Sequence, residues 1–89
     1  MNQAILFPDS VEWLALERCL QFHAQCQGLL IQCLVPVEVL EKHASVAIST
    51  EAEAIALFEE LRFDCEEQAE ALIDDERYNE LGQVIVEHL

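Results

Sequence analysis

The stretch TEAEAIALFEELRFDCEEQAEALIDDERY, Thr50 to Tyr78, decides the fold, because it reads as one long amphipathic helix. Ile55, Phe58, Leu61, Cys65, Ala69 and Leu72 recur at steps of three or four residues, which keeps them on one side of an α-helix. Glu53, Glu60, Glu67 and Asp74 recur at steps of seven and form an acidic face on the other side. Thr50 opens the helix: its hydroxyl can accept the orphan N–H of Glu53 while the Glu53 carboxylate reaches back to the Thr50 N–H, a reciprocal capping box. Gly82, a few residues past the last apolar position, is the expected stop.

A helix with one oily flank needs a surface to cover, and the residues before it supply one. Leu20, Phe22, Ala24 and Cys26 alternate with Gln21, His23 and Gln25, the period of a half-buried strand. Gln27-Gly28 then makes a turn. With those two residues as the loop, Cys26 faces Leu29, Ala24 faces Ile31, Phe22 faces Cys33 and Leu20 faces Val35, so one face of the hairpin is wholly apolar. The other face holds Gln21, His23 and Gln25 beside Leu30, Gln32 and Leu34. A slip of one residue would mix the two faces, which fixes the register. Glutamine is a poor residue for positive φ, and a bulged loop with Gly28 left-handed is the alternative.

Pro36 ends the hairpin and can open a short helix, since its missing N–H costs nothing at the first helical position. Val37, Leu40 and Ala44 share one side of it, and Glu38 with Lys42 has the favoured i,i+4 order. Val46 and Ile48 are expected to tuck inward from the connection to the long helix. Gln83 to Glu87 is rich in β-branched residues and reads as a last strand. Ala4 to Phe7, stopped by Pro8-Asp9-Ser10, reads as a first strand. From Val11 to Leu16 the pattern allows a helical turn capped by Asp9 or Ser10, with Trp13 folded over the core. The whole, residues 1–89, is expected to be a single two-layer α+β domain: an antiparallel sheet of N-terminal strand, hairpin and C-terminal strand, packed on one long and one short helix.

Composition narrows the possible partners. Eighteen acidic residues against four basic ones give a formal charge of -14 on 89 residues, a negative field over most of the surface. Arg18, Lys42, Arg62 and Arg77 form no basic run that could exchange with the counterions of a phosphate backbone, so nucleic acid is not an expected partner. No apolar run is long enough to span a bilayer, and MNQAILFPDS lacks the basic start and long apolar centre of a signal peptide, so the expectation is a cytoplasmic protein without membrane contact. Cys19, Cys26, Cys33 and Cys65 contain no C-x-x-C pair and are expected as reduced thiols.

The order Phe7-Pro8-Asp9, Trp13, the Phe22 strand, the Gly28 turn, a short helix and then one long acidic helix resembles the bacterial family catalogued as domain of unknown function 1488. The resemblance covers the whole chain in length and element order, and its landmarks are structural residues rather than a catalytic signature. It implies a small α+β protein of the bacterial cytoplasm whose biochemical role is not established. This chain departs from the pattern at Gln27, where Asn or a similar turn former is expected, and at Pro36, where a polar cap is commoner.

Residues that could carry chemistry have plainer readings beside them. Glu59-Glu60, Glu66-Glu67 and Asp74-Asp75-Glu76 lie on a helix flank that should face water, with Arg62 and Arg77 spaced to pair with Glu59, Glu66 and Asp74; charge-striped helices normally present such solvated faces. There is no EF-hand spacing for a divalent cation. Cys26, Cys33 and Cys65 fall on core positions, where a thiol acts as a small hydrophobe. Cys19 is the cysteine most open to solvent, but surrounding acidity opposes its ionisation despite adjacent Arg18. Cys19 and His23 are four apart on one strand, too distant for a shared ion unless the strand bends, and His43 and His88 read as surface histidines.

Two readings of function follow. In the first the chain is a non-catalytic acidic interaction module without cofactor, either a homodimer through the outer sheet face with Trp13, Leu30 and Leu34, or the partner of a basic protein through Glu53, Glu60, Glu67 and Asp74. In the second it is a small enzyme or metal-binding domain that uses Cys19, His23 or the acidic clusters, which requires a concave polar pocket and a strongly shifted pKa.

Overall fold

A computed structural model describes residues 4–89 of the chain. Seven elements follow in order: β1 (Ile5–Leu6), β2 (Glu12–Leu14), β3 (Cys19–Cys26), β4 (Leu29–Pro36), α1 (Val37–Ala44), α2 (Glu51–Asp74) and β5 (Val84–Ile85). The strands form a mostly antiparallel sheet with path β1-β3-β4-β5, and β2 pairs with β3 on the same edge as β1. Both helices bury their apolar sides in the core on one face of this sheet.

The hairpin has the register its alternation requires, with Cys26 opposite Leu29, Ala24 opposite Ile31, Phe22 opposite Cys33 and Leu20 opposite Val35. Gln27 (φ 53°) and Gly28 (φ 80°) are both left-handed, the two-residue turn whose twist matches the flanking strands. Glutamine therefore accepts positive φ here, because any longer loop would break the apolar pairing that β3 and β4 bury.

β1 and β2 are one edge strand broken in the middle. Leu6 stands opposite Gln25 and Glu12 opposite Gln21, so the five residues 7–11 span three on the partner, 22–24. Pro8, which has no N–H to give a ladder, lies in this bulge. The helical turn considered for Val11 to Leu16 does not form; Glu12–Leu14 is strand, and a turn over 15–18 with Arg18 left-handed (φ 51°) leads into β3. Backbone pairing along the free edge of β3 outweighs a single capped helical turn, which gains little until it propagates.

β5 lies beside β4 and runs parallel to it, Cys33 opposite Val84 and Leu34 opposite Ile85. Parallel neighbours need a crossover rather than a hairpin, and α1 with α2 is that crossover. Pro36 is the last residue of β4 and also the residue before the first turn of α1, with extended ψ of 141°.

α2 begins as its sequence prescribes. Glu53 N–H donates to the Thr50 hydroxyl at 3.1 Å, and Thr50 N–H donates to the Glu53 carboxylate at 3.1 Å. Its end differs from the sequence reading: the helix stops at Asp74, not near Tyr78, and Gly82 belongs to a later turn. Arg77 N–H donates to the Leu72 carbonyl at 2.9 Å and Glu76 N–H to the Ile73 carbonyl at 3.0 Å, with Glu76 left-handed at φ 56°. That is a Schellman cap with glutamate where glycine is usual.

The buried stripe of α2 is Ala54, Phe58, Cys65, Ala69 and Ile73, flanked by partly buried Ile55, Leu61 and Leu72. Phe58 meets Phe22 of β3 at 5.3 Å between ring centroids, and Phe7 meets Phe22 at 6.2 Å. Burying each such ring contributes about 2 kcal/mol or more. Of the two connector residues expected to point inward, Ile48 is buried and Val46 is exposed. Ile48 N–H donates to the Glu41 carboxylate at 2.8 Å.

Candidate functional site

Two surfaces remain outside this core, and they differ in chemistry. Residues directly opposite each other on neighbouring strands point to the same side, so the ladder defines the outer sheet face row by row. One row is Leu6, Gln25 and Leu30; another is Glu12, Gln21, Leu34 and Ile85; a third is Leu14, Cys19 and Pro36. Between them His23 faces Gln32. The row is tied across the sheet by Gln83 Nε2 donating to Gln32 Oε1 at 3.0 Å, and Ser10 Oγ lies 3.4 Å from His23 Nδ1.

In those rows Glu12 is the single Asp, Glu, Lys or Arg, and the Gln21 amide donates to it at 3.4 Å. Leu6 is 65% and Leu30 62% exposed, while Leu34, Leu14 and Ile85 are half-buried. Trp13 is not on this face. It stands opposite Leu20, on the inner side, and packs half-buried against the core. The parity of the edge strand decides this: Leu6, Glu12 and Leu14 point outward and Ile5 and Trp13 inward, and the two extra residues of the bulge at Pro8 leave that alternation unchanged.

The second surface is the outward flank of α2. Glu53, Glu60, Glu67 and Asp74 are all exposed. The N–H groups of Ser49 and Thr50, and then the Thr50 hydroxyl, hold the Glu53 carboxyl below its ordinary range. Elsewhere on the helix Arg62 gathers the acids. Its Nε and Nη2 donate to the two carboxylate oxygens of Glu59 at 2.8 and 2.9 Å, Nη2 donates to the Ser10 carbonyl at 3.2 Å, and Asp9 and Glu66 each lie 3.6 Å away. The guanidinium carbon sits 4.8 Å from the Phe58 ring centroid. The fork on Glu59 raises the Arg62 pKa and lowers that of Glu59. Arg77 pairs with Asp75 at 3.8 Å instead of with Asp74.

Cysteine and histidine chemistry finds little support in this geometry. Burial pushes the Cys33 and Cys65 thiols up to about 12. Burial, followed by Glu17 and Glu38, also raises Cys19, which donates weakly to the Glu17 carbonyl at 3.4 Å; a thiol so placed is a poor nucleophile. Cys19 and His23 share the outer face but stand about 13 Å apart along β3. Among the described residues no three His, Cys, Asp or Glu side chains gather closely enough to hold a metal ion. Ser10 and His23 meet only through the fold; among the described residues no hydrogen bond sets a carboxylate behind the imidazole, so the pair lacks the orienting third group of a hydrolytic triad.

A family profile described as protein of unknown function (DUF1488) matches residues 5–86. Uncharacterized protein YrdB of Escherichia coli (strain K12) is 36% identical over 84 residues, 94% of this chain and 96% of its own. The protein of the same description from Shigella flexneri is 34% identical over the same span. Among solved structures, the crystal structure of a protein of unknown function from the DUF1488 family of Shewanella loihica PV-4 is 41% identical. It superposes with a TM-score of 0.94 over 99% of this chain and 97% of that one.

Proposed function

The chain belongs to the DUF1488 family, whose function is unknown, and on that premise we propose that it is a non-catalytic interaction module of the bacterial cytoplasm that pairs with its own copy through the outer sheet face. One observation carries this reading. A chain with a formal charge of -14 keeps the rows of that face almost free of charge and leaves Leu6 and Leu30 in water.

A symmetric pair meets the same patch on both subunits, so the patch must be self-complementary. Carboxylates are not. Amides are, since each offers both donor and acceptor, and Gln21, Gln25 and Gln32 run across this face between leucines. Pairing sheet to sheet also sends the two α2 flanks to opposite outer surfaces, where their repulsion is screened. Four strands about 4.8 Å apart and up to eight residues long give a face of at most roughly 19 by 27 Å, about 1,000 Å² over both partners, the size of a weak, concentration-dependent pairing.

The four cysteines form no disulfide and three of them are buried, which suits a reducing compartment, and no helix among the described residues is long and apolar enough to cross a membrane. The carboxylates of α2 disfavour nucleic acid and favour a basic protein as second partner.

Sedimentation equilibrium from micromolar to millimolar protein tests the pairing. Wild type is expected as a dimer, and Leu30→Glu, at an exposed site that does not disturb folding, weakens it at least about 30-fold. Glu67→Gln leaves the dimer unchanged. A strict monomer over that range ends the proposal.

A further inference from the structure

A groove of about 400 Å³ runs between the N-terminal edge strand and α2, with Ile5, Phe7 and Phe63 as its apolar wall and Glu67, Glu70 and Asp74 along one lip. Phe63 is 75% exposed although it stands one residue from the buried contact of Arg62 with Phe58. Large exposed aromatics beside a cleft are costly in water and are characteristic of binding surfaces. The acids on the lip are also distinct from those near the middle of the helix. Glu66 is drawn toward Arg62, whereas Glu67, Glu70 and Asp74 have no ion-pair partner among the described residues.

We propose that this groove receives a basic segment of a partner protein, in which a large apolar side chain seats against Phe63 and Phe7 while lysine or arginine side chains pair with Glu67, Glu70 and Asp74. The three carboxylates span seven residues of helix, about 10 Å, a distance over which two long basic side chains about 7 Å apart, at alternate positions of an extended segment, can each reach a carboxylate. A second copy of this chain cannot be the occupant. It has four basic residues in all, without two of them in sequence proximity, and Arg62 is already consumed by Asp9, Glu59 and Glu66. The groove volume, near the low end for binding sites, holds one or two side chains, so the anchor supplies selectivity and the charges supply attraction. This inference rests on reading the chain as an interaction module but uses a surface separate from the sheet face.

The probe is a synthetic peptide with lysines at alternate positions and a central leucine, titrated into ¹⁵N-labelled full-length protein at low salt and followed by amide shifts. Two control peptides replace the leucine with serine or the lysines with glutamates, and spermidine serves as a small polycation. The expected result is saturable binding of the lysine–leucine peptide with shifts concentrated at Phe7, Phe63, Glu67 and Glu70. Affinity should fall at least about tenfold with Phe63→Ser, with combined Glu67→Gln, Glu70→Gln and Asp74→Asn, or on raising salt to about 0.5 M. The proposal is overturned if the peptide does not bind, if the serine peptide or spermidine binds equally well, or if shifts spread evenly to Glu53 and Glu60. Sedimentation of the same samples reads the sheet-face dimer independently, so the failure of either surface is visible apart from the other.

Discussion

The outer sheet face and the outward flank of α2 are both exposed, yet one is made of amides and leucines and the other of carboxylates. On the sheet, Gln21, His23, Gln25 and Gln32 alternate with buried residues and Glu12 is the lone acid in the rows. On the helix, Glu53, Glu60, Glu67 and Asp74 succeed one another with exposed acids between them. A surface shaped by solubility alone would spread the charge, because either face tolerates carboxylates equally well. The segregation teaches that the two faces answer to different forces: apolar contact and hydrogen bonding on the sheet, long-range electrostatics on the helix.

The contrast is sharpest at Arg62, where helix charge is drawn into the structure. Its side chain is 16% exposed, forks onto Glu59, stacks on Phe58 and donates to the Ser10 carbonyl in the bulge between β1 and β2. Arg62→Ala removes all of these and leaves Asp9, Glu59 and Glu66 facing one another. It should destabilise the fold by about 2–3 kcal/mol, read as the midpoint in urea unfolding. Arg62→Lys should recover part of the loss, since an ammonium cannot make the planar fork. Glu67→Gln on the same helix should stay within about 0.5 kcal/mol of wild type. Equal losses from Arg62→Ala and Glu67→Gln would erase the distinction between structural and solvated charge.

A second effect separates the faces by pH and salt. Glu53 and Glu59 both have carboxyl pKa values lowered in the folded chain, the first by the Ser49 and Thr50 N–H groups and the second by Arg62. A lowered folded pKa adds stability that is complete above the ordinary carboxylate pKa, about 4.3, and is lost as pH falls through the folded value. The remaining carboxylates repel at neutral pH, so salt should raise the melting temperature at pH 7. Acid should then lower it below about pH 4.5, where the cap and the Arg62 fork are protonated away. Glu53→Gln should flatten part of that acid limb while leaving the salt response in place. An acid limb identical in Glu53→Gln and wild type would remove the capping carboxylate from the account.

How much of this was legible in the sequence depended on whether the signal was local. The hairpin register could be read because Leu20 to Cys26 alternate strictly and the Gln27-Gly28 turn ties them to β4, so that any slip exposes the core. The start of α2 could be read because a capping box involves only Thr50 and Glu53. The edge strand could be read only in part: Trp13 packs over the core as expected, but nothing in the composition around Pro8 separates a bulged strand from a capped helical turn, and the sequence reading therefore credits the outer sheet face with Trp13 as well. Likewise Leu6, Leu14 and Ile85 join Leu30 and Leu34 on the outer face only through pairings between distant segments. The pairing of Arg62 is legible in its i−3 and i+4 neighbours, Glu59 and Glu66, but its reach to Asp9 and Ser10 crosses more than fifty residues.

The smallest effect is expected where the acidic flank of α2 ends. Glu76 holds a left-handed φ of 56° in the Schellman cap, a conformation that costs a residue with a Cβ about 1 kcal/mol or more. Its carboxylate also joins Asp74 and Asp75 at the negative end of the helix dipole. The helix reading runs past this point because glycine, the usual sign of such a cap, does not occur before Gly82. Glu76→Gly removes both penalties and restores some unfolded-state entropy, for a net gain of about 0.5–1 kcal/mol or a few degrees in Tm. Glu76→Gln removes the charge alone and Glu76→Asn relieves both in part, so the order Gly, Asn, Gln, Glu in decreasing stability assigns the cost to backbone first and charge second. If Gln matches Gly, the cap is limited by the same electrostatics as the rest of the outward flank, and the backbone strain at Glu76 is negligible.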